Sequence, residues 1–119
     1  MGKYSKNKGC RGERLWRDMC RDNGFPNVER GGQAMYQRGS EKADVLGLAG
    51  LHQEVKFVER LNLRAAMEQS ERDARDEGAG NVPIVAHKTS RKDWLVTMRA
   101  VDWFKFYKAW RFLPSGWEL

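Results

Sequence analysis

The segment from Ala43 to Val58 constrains this chain more than any other part of it. Two short apolar stretches, Ala43 to Leu48 and Leu51 to Val58, flank Ala49-Gly50. A small, permissive pair between two extended stretches predicts a β-hairpin. The second stretch alternates: Leu51, Gln53, Val55 and Phe57 share one face, and His52, Glu54, Lys56 and Val58 share the other. Asp44 opens the first strand, so the hairpin carries it back beside Glu54 and Lys56. A carboxylate on a strand among Val, Leu and Phe is costly to bury unless it is paired or binds a ligand. The same residues therefore shape both a sheet and a charged cluster upon it.

The rest of the chain reads as partners for that hairpin. Gly12 to Asp22 predicts a helix, with Leu15, Trp16, Met19 and Cys20 on one face and Gly24 to stop it. Pro26 begins an extended piece, Asn27 to Arg30, and the glycine-rich stretch Gly31 to Lys42 reads as a loop. Asn62 to Glu77 predicts a helix, Asn62 its N-cap and Gly78 beyond its end, with a thin apolar stripe of Leu63, Ala66, Met67 and Ala74. Val82 to His87 is apolar almost throughout, as in a strand buried on both faces. Trp94 to Met98 is a further short strand. Val101 to Phe112 is helical and aromatic, and its aromatic set is too broad for one stripe, so part of it belongs to the core and part to another subunit. The order α-β-β-β-α-β-β-α describes one α/β domain spanning residues 1–119, a mixed β-sheet flanked by helices, with residues 1–8 a flexible basic arm.

The net charge of +6 points to a polyanion partner. A membrane is the poorer candidate, because no apolar run approaches the roughly 20 residues that span a bilayer and no signal-peptide pattern opens the chain. Cys10 and Cys20 lack zinc-site spacing and read as reduced thiols of an intracellular protein. His52 and His87 read as structural or DNA-contacting residues rather than metal ligands.

Phosphodiester hydrolysis needs a divalent cation on carboxylates, an activated water and a positive group near the developing charge. Asp44, Glu54 and Lys56 supply those parts. Asp44, nine residues, then Glu54-Val55-Lys56 resembles the core motif of the PD-(D/E)XK nuclease superfamily. Glu13 in the first helix, Ser40 in the loop before the aspartate, Gln69 in the second helix, and Val82 to Lys88 followed by Arg91 and Trp94 extend the likeness to the Holliday-junction-resolvase-like branch, small endonucleases of viral or phage type. The likeness spans about residues 8 to 107 and departs at Ala43, where the family has proline.

The resemblance implies a restriction-endonuclease-like core and a homodimer that cuts branched DNA, each subunit cleaving one strand with Mg²⁺, or Mn²⁺ in its place, to leave 5′-phosphates. Asp44, Glu54 and the Val55 carbonyl would hold the metal, and Glu13 would join them directly or through water. Lys56 would position and help deprotonate the attacking water. Arg30, Arg38, Ser40, Lys42, Gln69, Lys88, Arg91 and Lys92 would meet DNA. A phage-encoded enzyme of this kind would work in the cytoplasm of a bacterial host. Two other readings stand beside it: a nuclease of the same fold acting on flaps or plain duplex, and a basic DNA-binding accessory protein without catalysis. Individually the residues also have plainer explanations. Glu54 with Lys56 makes a same-face ion pair, Glu13 suits a first helical turn, Gln69 suits a solvated helix and Ser40 an ordinary loop.

Overall fold

The computed structural model describes residues 3–31 and 44–113; Arg38, Ser40 and Lys42 lie outside them. The elements are α1 (Lys3–Asp22), β1 (Glu29–Arg30), β2 (Val45–Leu46), β3 (Leu51–Phe57), α2 (Leu63–Glu77), β4 (Val82–Lys88), β5 (Leu95–Met98) and α3 (Ala100–Arg111). This is the α/β order read from the sequence. The strands form one mixed sheet in the spatial order β1-β2-β3-β4-β5. β3 and β4 run parallel, joined by α2, and the other neighbours are antiparallel. Among the described residues no helix is long and apolar enough to cross a membrane.

Strand alternation distributes the core between the two faces. On one side Val45, Val55 and Ala86 pack with Trp16 and Cys20 of α1 and with Val28. On the other Val85 packs with Ala66 and Met67 of α2. β4 buries Pro83 through Ala86 without a break, as expected of a strand covered on both faces. The α2 caps also follow the sequence: the Asn62 side chain accepts from the Ala65 N–H at 3.0 Å, and Gly78 closes the helix at φ +70°.

Helix α1 starts at Lys3 rather than Gly12, so its first turns occupy residues expected to form an arm. Contacts with β3 and beyond support the added turns from Lys8 onward. Gly12 lies so close to β3 that a Cβ there would come within 2.6 Å of the Phe57 Cβ. One turn earlier, the Lys8 ammonium sits 5.1 Å from the Phe57 ring centroid and 3.7 Å from Glu59 Oε1. The aromatic expectation for α3 needs a larger correction. Asp102 is its buried residue, and Trp103, Phe104, Phe106, Tyr107, Trp110 and Phe112 are all exposed, so none of them fills the core.

The hairpin aims the site. Leu51 N–H donates to the Leu48 carbonyl at 3.1 Å around Ala49-Gly50, with Gly50 at φ +88°. Continued without a break, that turn would pair Leu46 with Gln53. The observed pair is Val45 with Gln53. Leu46 and Gly47 together stand opposite His52, a β-bulge that brings Asp44 level with Glu54. Gly47 makes the bulge feasible: its φ is +109°, and a Cβ there would lie 2.8 Å from Val28 Cα and 2.9 Å from the Asn27 carbonyl oxygen.

Gly47→Ala should therefore lower unfolding stability by about 2–4 kcal/mol, from the strained φ together with the backbone clash. Gly50→Ala shares the positive φ but meets open space, and should cost about 1 kcal/mol. Urea denaturation of the two variants checks the difference; equal costs would show that the bulge does not need glycine.

Candidate active site

Asp44 lies where β2 begins. Its backbone N–H donates to the Gln53 carbonyl at 2.9 Å, and its carbonyl accepts from the Gly31 N–H at 2.7 Å. Its side chain turns toward β3, where Oδ2 accepts the Val55 N–H at 2.8 Å. A strand N–H points along the sheet plane, so the carboxylate occupies the place that another β2 residue would otherwise fill. From there it meets groups on both sheet faces.

Glu54, 1% exposed, projects toward α2, and its Oε2 is buried without a hydrogen-bond partner. Asp44 and Glu54 are within side-chain hydrogen-bonding reach of each other. Burial pushes the Asp44 carboxyl up to about 7; the charge of Glu54 adds to the rise, the Val55 N–H opposes it, and Glu13 adds a smaller push. Glu13 arrives from the opposite face. It sits within α1, whose first turn holds no acidic residue, so the helix-dipole explanation does not apply to it. Its Oε1 is 3.2 Å from Arg30 Nε. Arg30, expected on DNA, is thus engaged at the acidic cluster.

Three side chains of α2 follow β3 in step. Gln69 Oε1 accepts from the Lys56 ammonium at 3.4 Å. Asp73 lies beside Glu54 and His52, the donor atoms of the three within 4.8 Å of one another. Glu77 Oε1 is 3.0 Å from His52 Nδ1. Among the described residues this His52, Glu54 and Asp73 group is the one compact enough to share a cation; Glu13, Asp44 and Glu54 do not converge as tightly. His52 is fully buried. Burial lowers its basicity, but hydrogen bonds and charge from Glu54 and Glu77 outweigh that and leave the ring more basic than usual. His87 pairs with Lys56 across the sheet and donates to or accepts from Thr97 Oγ1 at 2.9 Å; burial makes it less basic than usual.

The basic candidates gather at the C-terminal ends of β3 and β4. Lys88 bonds the carbonyls of Thr89 and Lys92, which ties the turn carrying exposed Arg91 and Lys92. Ser90 N–H in that turn donates to Glu59 Oε1 at 3.3 Å. Lys8 and Arg11 approach the same end over the Phe57 ring. The sequence by itself does not single out Arg11, Asp73 or Glu77. The i, i+4, i+8 spacing of Gln69, Asp73 and Glu77, opposite Lys56, Glu54 and His52 at every second residue, was the available signal.

The donor set fits a hard divalent cation: two neighbouring carboxylates, one with an unpartnered buried oxygen, where β2 begins beside the middle of β3. No family model matches the chain, and no curated protein matches it in sequence.

Because the folded pKa of Asp44 lies above its ordinary 3.8, the fold favours the protonated acid. Its contribution to stability is complete below pH 3.8 and is lost as pH rises through about 7. In EDTA, wild-type protein should lose more stability than Asp44→Asn between acid and mildly alkaline pH, with a difference on the order of 3 kcal/mol. Urea midpoints across that range test this, and parallel pH profiles would show that Asp44 is not held protonated.

Proposed function

We propose that the chain is a divalent-metal-dependent DNA endonuclease that acts on branched DNA. The observation that carries the reading is the meeting of Asp44 and Glu54 at the bulged hairpin, with Lys56 one strand repeat farther along the Glu54 face. That placement gives acid, acid and amine in the order that phosphodiester hydrolysis uses. Asp44, Glu54 and the Val55 carbonyl would hold Mg²⁺, with Mn²⁺ as substitute. The cation would make a bound water more acidic and offset charge on the phosphate.

The remaining roles belong to the protein. Lys56, oriented by Gln69, orients the attacking water and faces the developing negative charge. Glu13, whose charge acts on Asp44, would join the two ligand carboxylates directly or through a bound water. The Val55 N–H holds Asp44 in the sheet plane. Lys8, Arg11, Lys88, Arg91 and Lys92 would receive the DNA backbone at the end of the sheet where Lys56 lies.

A homodimer suits this reading, since paired subunits cut paired strands. Five aromatic side chains of α3, and Phe112 just beyond it, are each at least 41% exposed. At about 200 Å² each when free, they leave about 600 Å² of apolar surface on one helix, close to the roughly 800 Å² per partner of a standard interface.

Asp44→Asn and Glu54→Gln should each lower Mg²⁺-dependent cleavage of a four-way junction by at least about 100-fold, and Lys56→Ala by a similar factor. Both carboxylate variants should keep their DNA affinity, because removing negative charge does not weaken phosphate binding. Single-turnover cleavage and gel shifts on a junction, a flap and a duplex provide the check. Either carboxylate variant cutting at the wild-type rate ends the assignment, and equal cutting of all three DNAs removes the preference for branched substrates.

For assembly, Tyr107→Glu combined with Trp110→Glu should convert a dimer to a folded monomer in sedimentation velocity. Monomeric wild-type protein, with and without DNA, would count against paired cutting.

A further inference from the structure

The side chain that holds Glu54 in place is not among the groups assigned to the reaction. We propose that His52, braced by Glu77, is a positioning residue for the Glu54 carboxylate, an inference that rests on the metal-site reading above. His52 has no exposed surface and Glu54 has 1%. The His52 Nε2 lies 3.3 Å from Glu54 Oε1, and its Nδ1 lies 3.0 Å from Glu77 Oε1. One oxygen of Glu54 is thus tied to the ring, while Oε2 has no hydrogen-bond partner. A carboxylate anchored through one oxygen cannot swing freely, and its other oxygen stays available to a cation.

The ring has a second carboxylate close behind it. Glu77 is the last residue of α2, and its carboxylate reaches the strand face where His52 stands. This reach follows from two repeats that nearly coincide. Two residues of strand advance about 6.7 Å, and four residues of helix advance about 6.0 Å. Gln69, Asp73 and Glu77 therefore keep step with Lys56, Glu54 and His52 as α2 runs back along β3. An imidazole between two carboxylates, with no exposed surface, keeps one rotamer and passes that order to Glu54.

Groups that orient a metal ligand from behind commonly change metal affinity by about 10–100-fold when removed. The test uses the full chain, Mn²⁺ as the probe, calorimetry for binding, circular dichroism for folding, and cleavage as a second readout. His52→Phe should bind the same number of Mn²⁺ ions at least about tenfold more weakly, and saturating Mn²⁺ should restore its cleavage rate to within about threefold. Glu77→Ala, which removes the carboxylate behind His52, should weaken Mn²⁺ binding in the same direction by a smaller factor.

A folded His52→Phe with unchanged Mn²⁺ affinity overturns the proposal. Loss of one bound ion per chain also overturns it, because His52 would then be a ligand itself, with Glu54 and Asp73. A cleavage defect that saturating Mn²⁺ does not recover counts against it as well. If His52→Phe does not fold, unchanged affinity in Glu77→Ala is decisive. Wild-type protein that neither binds Mn²⁺ nor cuts DNA removes the proposed function, and that outcome is read from the wild-type arm alone.

Discussion

A buried carboxylate must be compensated by its surroundings, and much of the polar interior of this protein is organised around Glu54. Placed in the middle of β3 with almost no exposed surface, it would be strongly disfavoured in an apolar setting. The fold surrounds it with His52 on its own strand, Asp73 from α2, and Asp44 from the neighbouring strand. The α2 face of β3 is accordingly a polar seam rather than a core. Apolar contact between helix and sheet is displaced toward β4, where Val85 meets Ala66 and Met67.

The opposite face of the same strand is built differently. Val55 and Phe57 lie against α1, and Gln53, though polar and fully buried, receives the Trp16 indole N–H at 2.8 Å. Trp16 also packs against Trp94 with ring centroids 5.1 Å apart. This apolar side supplies the burial that holds β3 in place, so the other side can carry charge. Asp44 lies between the two, in the plane of the sheet. Its pKa is raised first by burial and then by the crowding of Glu54 and Glu13. Such crowding of acids in a buried place opposes folding.

Much of this was legible in the chain itself. The alternation of Leu51 to Val58 assigned the two faces of β3 correctly, and the unbroken apolar run of Val82 to His87 identified the central strand. Asn62 and Gly78 marked both ends of α2. Less was legible where long-range contacts decide. The turn of α1 from Lys8 to Gly12 rests on Phe57, which follows it by dozens of residues. The α3 aromatics looked suited to a core, yet their helix buries only Asp102 within this chain. His52 was read as structural or DNA-contacting, and nothing in its immediate neighbours indicated that Glu77 would brace it.

The sequence alone determined the element order, the facing of β3 and the presence of Asp44, Glu54 and Lys56 within one hairpin. These are local properties, set by side-chain period, turn residues and caps that act over a few positions. Only the tertiary structure decided that Leu46 and Gly47 would share one partner, which brings Asp44 level with Glu54. It alone decided that Gln69, Asp73 and Glu77 would run in step along β3. Both outcomes depend on where separate elements come to rest. Position 47 requires glycine because Asn27 and Val28 crowd the place of its Cβ, and the polar seam exists because α2 returns along β3 to let β4 pair parallel with it.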